Sequence, residues 1–261
     1  MHKLLISFFL VVAINTAYSQ TWEVGAFGGG SGYMGDINPV RPYKVNNPAF
    51  GGQIKRNFDG NWSVKLGVMR GKIQADDADS PNSFQQERNL NFFSPITEVS
   101  LQTEFNFFKY LPGLLPGYGN HRISPYLFTG VGGVLFNPKT SFNNQEVELR
   151  DLQTENTDYK KYGLVIPYGA GIKYNIKGSW TLGGEVGYRT VFNDYLDDVS
   201  GRYPGTGNLT NSAATNFSDR SINQIGLAGT QRGDFRKKDT YMFTGITLTY
   251  RFVSEKCAFE N

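Results

Sequence analysis

The segment Trp180–Thr190, WTLGGEVGYRT, constrains the fold more than any other. Trp180, Leu182, Val186 and Tyr188 fall on one face with Gly184 between them, and Thr181, Gly183, Glu185, Gly187 and Arg189 fall on the other. A repeat of two residues is that of an extended strand. The apolar face is aromatic at both ends, while the polar face mixes glycine with charges of both signs. That is a poor exterior for a soluble sheet. It suits a membrane barrel, with lipid against the apolar side and a crowded polar lumen behind it.

The same rule recurs along the chain. Trp22, Val24 and Ala26 oppose Glu23, Gly25, Phe27 and Gly29 over Trp22–Gly30. Phe50, Ile54 and Phe58 oppose Gln53, Lys55 and Asn57, with Arg56 on the apolar face near the strand end, where a long cationic side chain reaches the interface. Trp62, Val64, Leu66 and Val68 alternate with Ser63, Lys65, Gly67 and Met69. In the clearest pattern Val99, Leu101, Phe105 and Phe107 face away from Glu98, Ser100, Gln102, Glu104 and Asn106, and the two glutamates need cations. The run YLFTGVGGVLF after Pro125 is apolar or glycine on both faces, so its orientation stays open. Leu164–Tyr174 resumes the alternation; Pro167 within it lacks a ladder donor and marks a bulge or an irregular pairing. Thr240–Phe252, with Met242, Ile246, Leu248, Tyr250 and Phe252 on one face, completes eight strands.

A soluble lipocalin-like barrel has the same periodicity, so further observations must decide. Short turns at Asp59–Asn61 and Lys177–Ser179 alternate with long connections after Gly30, Ile73, Phe136 and Thr190, the pattern of periplasmic turns and extracellular loops. Trp22, Trp62, Trp180, Phe107, Tyr174, Tyr188 and Tyr250 border the apolar face, where interfacial residues belong. The polar face balances Lys55, Lys65, Lys173, Arg189 and Arg251 against Glu23, Glu98, Glu104 and Glu185, as a narrow lumen requires, because an unpaired buried charge costs several kcal/mol. The expected fold is all-β, a transmembrane up-and-down antiparallel barrel of eight strands with long extracellular loops. Its expected lumen network comprises Lys65, Glu98, Glu104, Glu185, Arg189 and Arg251. The mean hydropathy of −0.39 hides this signal, since alternation averages polar with apolar residues in every window.

His2 and Lys3 precede the apolar run Leu4–Ile14, and Ala17-Tyr18-Ser19 offers small residues where a signal peptidase reads. Residues 1–19 read as a cleaved signal peptide, 20–252 as the barrel and 253–261 as a periplasmic tail. The single cysteine, Cys257, has no partner for an internal disulfide, and a net charge of +3 is too mild to argue for nucleic acid. No cofactor or metal is expected: Asp76, Asp77 and Asp79 lack the glycine and glutamate spacing of a calcium loop. Nor is catalysis. His2 leaves with the leader, His121 lies in a periplasmic turn, and the adjacent pair Asp197-Asp198 suits turn hydrogen bonds better than acid–base work. A barrel this narrow, filled with large paired side chains, is no diffusion pore.

YLDDVSG (Tyr195–Gly201), GYMGDINP (Gly32–Pro39), RNLNF (Arg88–Phe92), PYLFTGVGGVLFNPK (Pro125–Lys139), SDRS (Ser218–Ser221) and the closing TYRF, taken in order, resemble the PorG family over nearly the whole mature chain. Members of that family are outer-membrane barrels of the type IX secretion system of Bacteroidota, which in gliding species also delivers adhesins. The resemblance implies a non-enzymatic component associated with the periplasmic ring of PorK and PorN, near other translocon components. It supplies no contact residues. From the sequence itself, Leu114, Leu115 and Tyr118 are unusually apolar for a turn, which marks either a partner contact or a place in the lipid interface at the barrel rim, and Lys256, Cys257 and Phe259 extend beyond the last strand. These six are the candidate periplasmic contacts. Outside, Tyr195, Asp197, Asp198 and Arg220 are expected to hold the longest loop as a cap over the lumen. The rival reading is a stand-alone small barrel serving adhesion or envelope stability through its outer loops.

Overall fold

The computed structural model describes residues 21–111, 120–142, 145–205, 207, 209 and 212–252. The leader, Leu114, Leu115, Tyr118, Lys256, Cys257 and Phe259 lie outside the described residues. The strands are β1 Thr21–Met34, β2 Val45–Asn57, β3 Trp62–Asp76, β4 Asn91–Asn106, β5 Ile123–Phe136, β6 Lys139–Phe142, β7 Gln145–Glu148, β8 Tyr162–Lys177, β9 Trp180–Val191 and β10 Thr240–Phe252. Three short helices join them: α1 Ser83–Arg88, α2 Leu149–Leu152 and α3 Ser212–Ser218.

Eight strands form a ring in the order β3-β2-β1-β10-β9-β8-β5-β4, and β3 pairs with β4 to close it, every pairing antiparallel. Closure removes both sheet edges, so the wall strands pair on both sides, as a membrane-spanning sheet requires. The hairpin β6–β7 stands outside the ring, paired to β4 only where Lys139 faces Phe93. Among the described residues no helix is long and apolar enough to cross a membrane; the crossing is made by strands.

The alternation read from the sequence sets the two faces. Trp22, Leu66, Leu101, Leu127, Ile172, Leu182 and Leu248 are exposed on the outside, while Glu23, Lys65, Gln102, Lys173, Glu185 and Thr249 are buried inside. In β5 the open orientation resolves with Leu127, Val131 and Leu135 outward and Tyr126, Phe128, Val134 and Phe136 inward. Phe128 accounts for two of the inner glycines, Gly169 of β8 and Gly187 of β9. A Cβ at Gly169 or Gly187 would come within 2.6 or 2.5 Å of the Phe128 ring. Pro167 interrupts the ladder without shifting it: the β5–β8 pairs lapse between Thr129–Tyr168 and Gly132–Val165, yet Pro167 stays in register with Arg189 on the other side.

The barrel has a turn end and a loop end. At the turn end lie Thr21, Phe252 and the tight turns; in the first of these Asp59 Oδ1 accepts from the Asn61 and Trp62 amides at 2.7 and 2.6 Å. Trp22, Trp62, Trp180, Phe107, Tyr174 and Tyr250 ring this end, and Tyr188 alone of the expected border residues belongs to the other half. The four long connections gather at the loop end, extracellular by the general rule for such barrels.

The lumen has two tiers, which corrects the expectation of a polar interior throughout. Toward the turn end it is charged. Glu104 sits among three ammonium groups, Lys173 at 2.6 Å, Lys65 at 3.1 Å and Lys55 at 3.6 Å. Lys55 also meets Glu23 at 2.9 Å, and Lys65 meets Glu185 at 3.3 Å. Above them Arg189 Nε lies 3.2 Å from Glu98, which also accepts from the Tyr241 hydroxyl at 2.7 Å. Toward the loop end the inward residues are mostly apolar: Ile73, Ala75, Phe92, Ile96, Val134, Phe136, Val165 and Val191 are buried in one cluster.

Arg251 departs from its expected role. It is buried opposite Glu23 in the β1–β10 register, but that carboxylate is taken by Lys55, Asn57 and Thr249, and Arg251 Nε and Nη1 have no hydrogen-bond partner among the described residues. Position on the inner face places it in the lumen, and Lys55, in register with Glu23 on the other side, makes the ion pair.

Glu104→Ala leaves Lys55, Lys65 and Lys173 facing one another without their shared counter-charge. A loss of about 3–5 kcal/mol is expected. It is read as a lower urea midpoint for the folded, heat-modifiable band on SDS gels, and an unchanged midpoint contradicts the central place given to Glu104.

Candidate functional site

The connections spanning residues 35–44, 77–90, 137–161 and 192–239 pack into a single cap whose interior is polar where it meets the barrel and apolar beneath. Arg88, the last residue of α1, is fully buried and holds three of them. Its Nε and Nη2 grip Asp77 at 2.7 and 2.6 Å, a two-pronged guanidinium–carboxylate pair. Nη2 also donates to the Asp36 carbonyl at 3.0 Å, and Nη1 donates to the Arg232 carbonyl. The geometry follows from local sequence: Asn82 caps α1 by accepting from the Phe84 amide, and Asn89 ends it in the left-handed conformation at φ 58.

Arg232 is the second hub. Its Nη1 meets Glu155 at 2.7 Å and the Asp198 carbonyl at 2.9 Å, and its Nε donates to the Ser218 carbonyl at the end of α3 at 3.1 Å. The Asp198 side chain accepts from the hydroxyls of Thr154 and Tyr159, both at 2.5 Å, and Tyr159 stacks on Tyr195 with centroids 4.6 Å apart. Thus the 137–161 connection is bound to the 192–239 connection by an ion pair, two hydroxyl bonds and a ring stack.

Between cap and barrel lie Asp36, Asp197 and Asp239, buried, with one carboxylate oxygen of each within 4.8 Å of the others. None of the three forms an ion pair among the described residues. The Tyr33 hydroxyl donates to Asp197 Oδ2 at 2.6 Å and lies 3.0 Å from Asp239 Oδ1. A hydroxyl has one hydrogen, so the second contact needs a proton on Asp239. Backbone amides of Val199, Leu196 and Asp234 donate to Asp197 Oδ1, Asp239 Oδ2 and Asp36 Oδ1. Burial, and then the neighbouring carboxylates, push Asp36 up to about 10 and Asp239 well above the carboxylate range. Burial likewise raises Asp197 to about 7, against the hydrogen bond from Tyr33, and Asp198 to about 6, against the pull of Arg232. The cluster therefore retains protons near neutral pH, and Asp194 and Asp234 close by add to the effect.

Of the four residues expected to form the cap, Tyr195, Asp197 and Asp198 come together here. Arg220 does not join them: its Nη1 donates to Asn91 and Thr140, each at 3.0 Å, tying the long loop to β4 and β6 instead. Arg88, Arg232, Asp36, Asp239 and Tyr33 were not foreseen as a unit. Pattern reading sees charged loop residues as solvated, and no spacing links positions nearly two hundred residues apart. Asp76, Asp77 and Asp79 are all engaged, with the Ala78 amide, Arg88 and Lys44 respectively. His121 is exposed beside Phe108 at the turn end, the opposite end of the barrel from Asp197 and Asp198.

Residues 2–261 match the model of a domain of unknown function, DUF6089. No curated protein matches. Among solved structures, Ail of Yersinia pestis, crystallised with the heparin analogue sucrose octasulfate, is 12% identical, with 90% of this chain and 100% of that chain covered and a TM-score of 0.42. The N-terminal β-barrel domain of Pseudomonas aeruginosa OprF is 14% identical, with 91% and 100% covered and a TM-score of 0.38. The outer membrane protein OprG of the same species is 12% identical, with 90% and 95% covered and a TM-score of 0.36.

The raised carboxyls give the cap a signed pH dependence. Unfolded aspartates release their protons near pH 4, whereas the folded cluster keeps them to about 7 at Asp197 and higher at Asp36. The cluster's contribution is fully present below about pH 4 and is lost as pH rises through those values, by about 1.4 kcal/mol per unit for each retained proton. Proteolysis of the loops in membrane-embedded protein should quicken from pH 5 to 9. Asp197→Asn should flatten that rise, and a rise unaltered in this variant removes the cluster as its cause.

Proposed function

This chain belongs to the DUF6089 family, a domain of unknown function, and from that premise we propose that it is a non-enzymatic scaffold of the outer membrane that serves type IX protein secretion. The observation that carries the reading is the filled lumen. Three lysines and three glutamates occupy its charged tier, Arg189 and Glu98 the middle, and a continuous apolar core the upper tier under a closed cap. Nothing the size of a nutrient or a polypeptide passes through such a barrel, so its work lies on its surfaces.

Absence of catalysis fits the same geometry. The carboxylates of Asp197 and Asp198 are buried and spent on hydroxyls and amides of the cap, and His121 stands at the far end.

The secretion role is supported by where the resemblance to the PorG family falls. GYMGDINP contributes Asp36, RNLNF contributes Arg88, YLDDVSG contributes Asp197 and Asp198, and SDRS contributes the Ser218 carbonyl. Segments scattered through the sequence thus build one object, the cap. In this reading the turn end faces the periplasm and meets the ring proteins PorK and PorN. Leu114, Leu115, Tyr118, Lys256, Cys257 and Phe259 are the proposed contacts, the last three on a periplasmic tail.

A stand-alone barrel acting through its outer loops is the second reading, and the rigid cap favours it. Mild-detergent pull-down of the tagged protein separates the two, comparing wild type with a chain lacking Ser254–Asn261. Ring proteins that copurify with wild type and are lost with the tail are the expected result. Wild type that brings down no secretion component while the barrel stays folded overturns the scaffold reading. In planar bilayers the protein should open no steady conductance, and a stable channel would refute the filled lumen as the basis for either reading.

A further inference from the structure

The charges on the two faces of the barrel follow different rules. Inside, acids and bases are mixed. On the outward face of the eight wall strands the charged residues are Arg56 and Lys177 near the turn end, Arg70 and Lys72 near the loop end, and Asp76, which ends β3 and caps the turn that follows. Arg70 and Lys72 project from the same face of β3 two residues apart, about 7 Å by the rise of a strand. Both are exposed, and neither forms an ion pair among the described residues.

Around the same rim, lysine amines lie over aromatic rings that top the apolar belt. Lys72 Nζ is 4.3 Å from the centre of Phe93, Lys160 Nζ 5.4 Å from Tyr162, and Lys238 Nζ 4.1 Å from Phe192. Lys160 and Lys238 also lack a carboxylate partner among the described residues. An ammonium held on a ring at the edge of a lipid-facing surface keeps its stem in the apolar layer and its charge at headgroup depth.

We propose that this rim, centred on Arg70 and Lys72, binds the phosphate groups of the glycolipid in the outer leaflet. Two features select a membrane lipid over a free anion. The cations are continuous with the lipid-facing belt formed by Phe50, Val68, Val99 and Leu135, so one molecule can lay acyl chains on the belt while its phosphate reaches the pair. A guanidinium and an ammonium at that spacing can both donate to the oxygens of a single phosphate. The proposal rests on placement in the outer membrane and is independent of the secretion role.

Native mass spectrometry of the full chain in detergent tests it with three probes: bis-phosphorylated lipid A, dephosphorylated lipid A and inorganic phosphate. Wild type should retain the phosphorylated lipid about ten-fold more tightly than the dephosphorylated one. Arg70→Gln with Lys72→Gln should erase most of that difference while heat-modifiable mobility on SDS gels stays intact. Lys160→Gln with Lys238→Gln, farther round the rim, should reduce it less. Equal retention of the two lipids by wild type overturns the proposal without any variant. So does a folded Arg70–Lys72 double variant that still discriminates, and displacement of the lipid by millimolar inorganic phosphate reassigns the rim to a free anion.

Discussion

The structure depends on the carboxylate of Glu104 and the three lysines that share it. A strand that turns its apolar side to lipid must turn its polar side inward, and eight such strands bring their inner charges within a few ångströms of one another. Desolvating an ion costs several kcal/mol unless a partner of opposite sign is already there. Lys55, Lys65 and Lys173 come from β2, β3 and β8, and Glu23, Glu104 and Glu185 from β1, β4 and β9. The cluster therefore ties six of the eight strands across the lumen, where backbone hydrogen bonds tie only neighbours.

Above that layer the design changes. At the loop end Ile73, Phe92, Ile96, Phe136, Val165 and Val191 point inward, and Leu196, Val199 and Phe217 from the long loop meet them from above. The barrel there has a hydrophobic core of the kind a soluble domain has, bounded by wall strands below and loops above. This core lets the loops fold as a body, with Arg88, Arg232 and the carboxyl cluster as a polar layer over the apolar one. The hubs of the cap are arginines that bond to backbone carbonyls more than to side chains, and such bonds leave no mark in a charge pattern.

Both tiers were legible in part. The inner glutamates of β4 announced their need for cations, and Glu104 and Glu98 found them. The apolar tier was announced in β5, whose two apolar faces made its orientation ambiguous; the ambiguity was the signal of a strand buried on the inside and lipid-exposed on the outside at once. Loops predicted to start at Ser31 and Gln74 begin later, because β1 runs on to Met34 and β3 to Asp76. The end of β1 is poor in alternation because Ser31, Gly32 and Tyr33 are all buried, while β3 keeps its alternation to the end, where the polar residues Gln74 and Asp76 on its outer face read as loop.

By itself the sequence determined the number of wall strands, the two faces of most of them, the division into short turns and long loops, and the balance of charge inside. Those properties are local or additive: a period of two, a turn signal, a sum. Which lysine meets which glutamate, why Arg251 is left without Glu23, and how Asp36, Asp197 and Asp239 come to share one buried site were decided by the tertiary structure alone. Barrel closure and loop packing bring together residues far apart in the chain, and a contact made only in space has no period for a sequence to display.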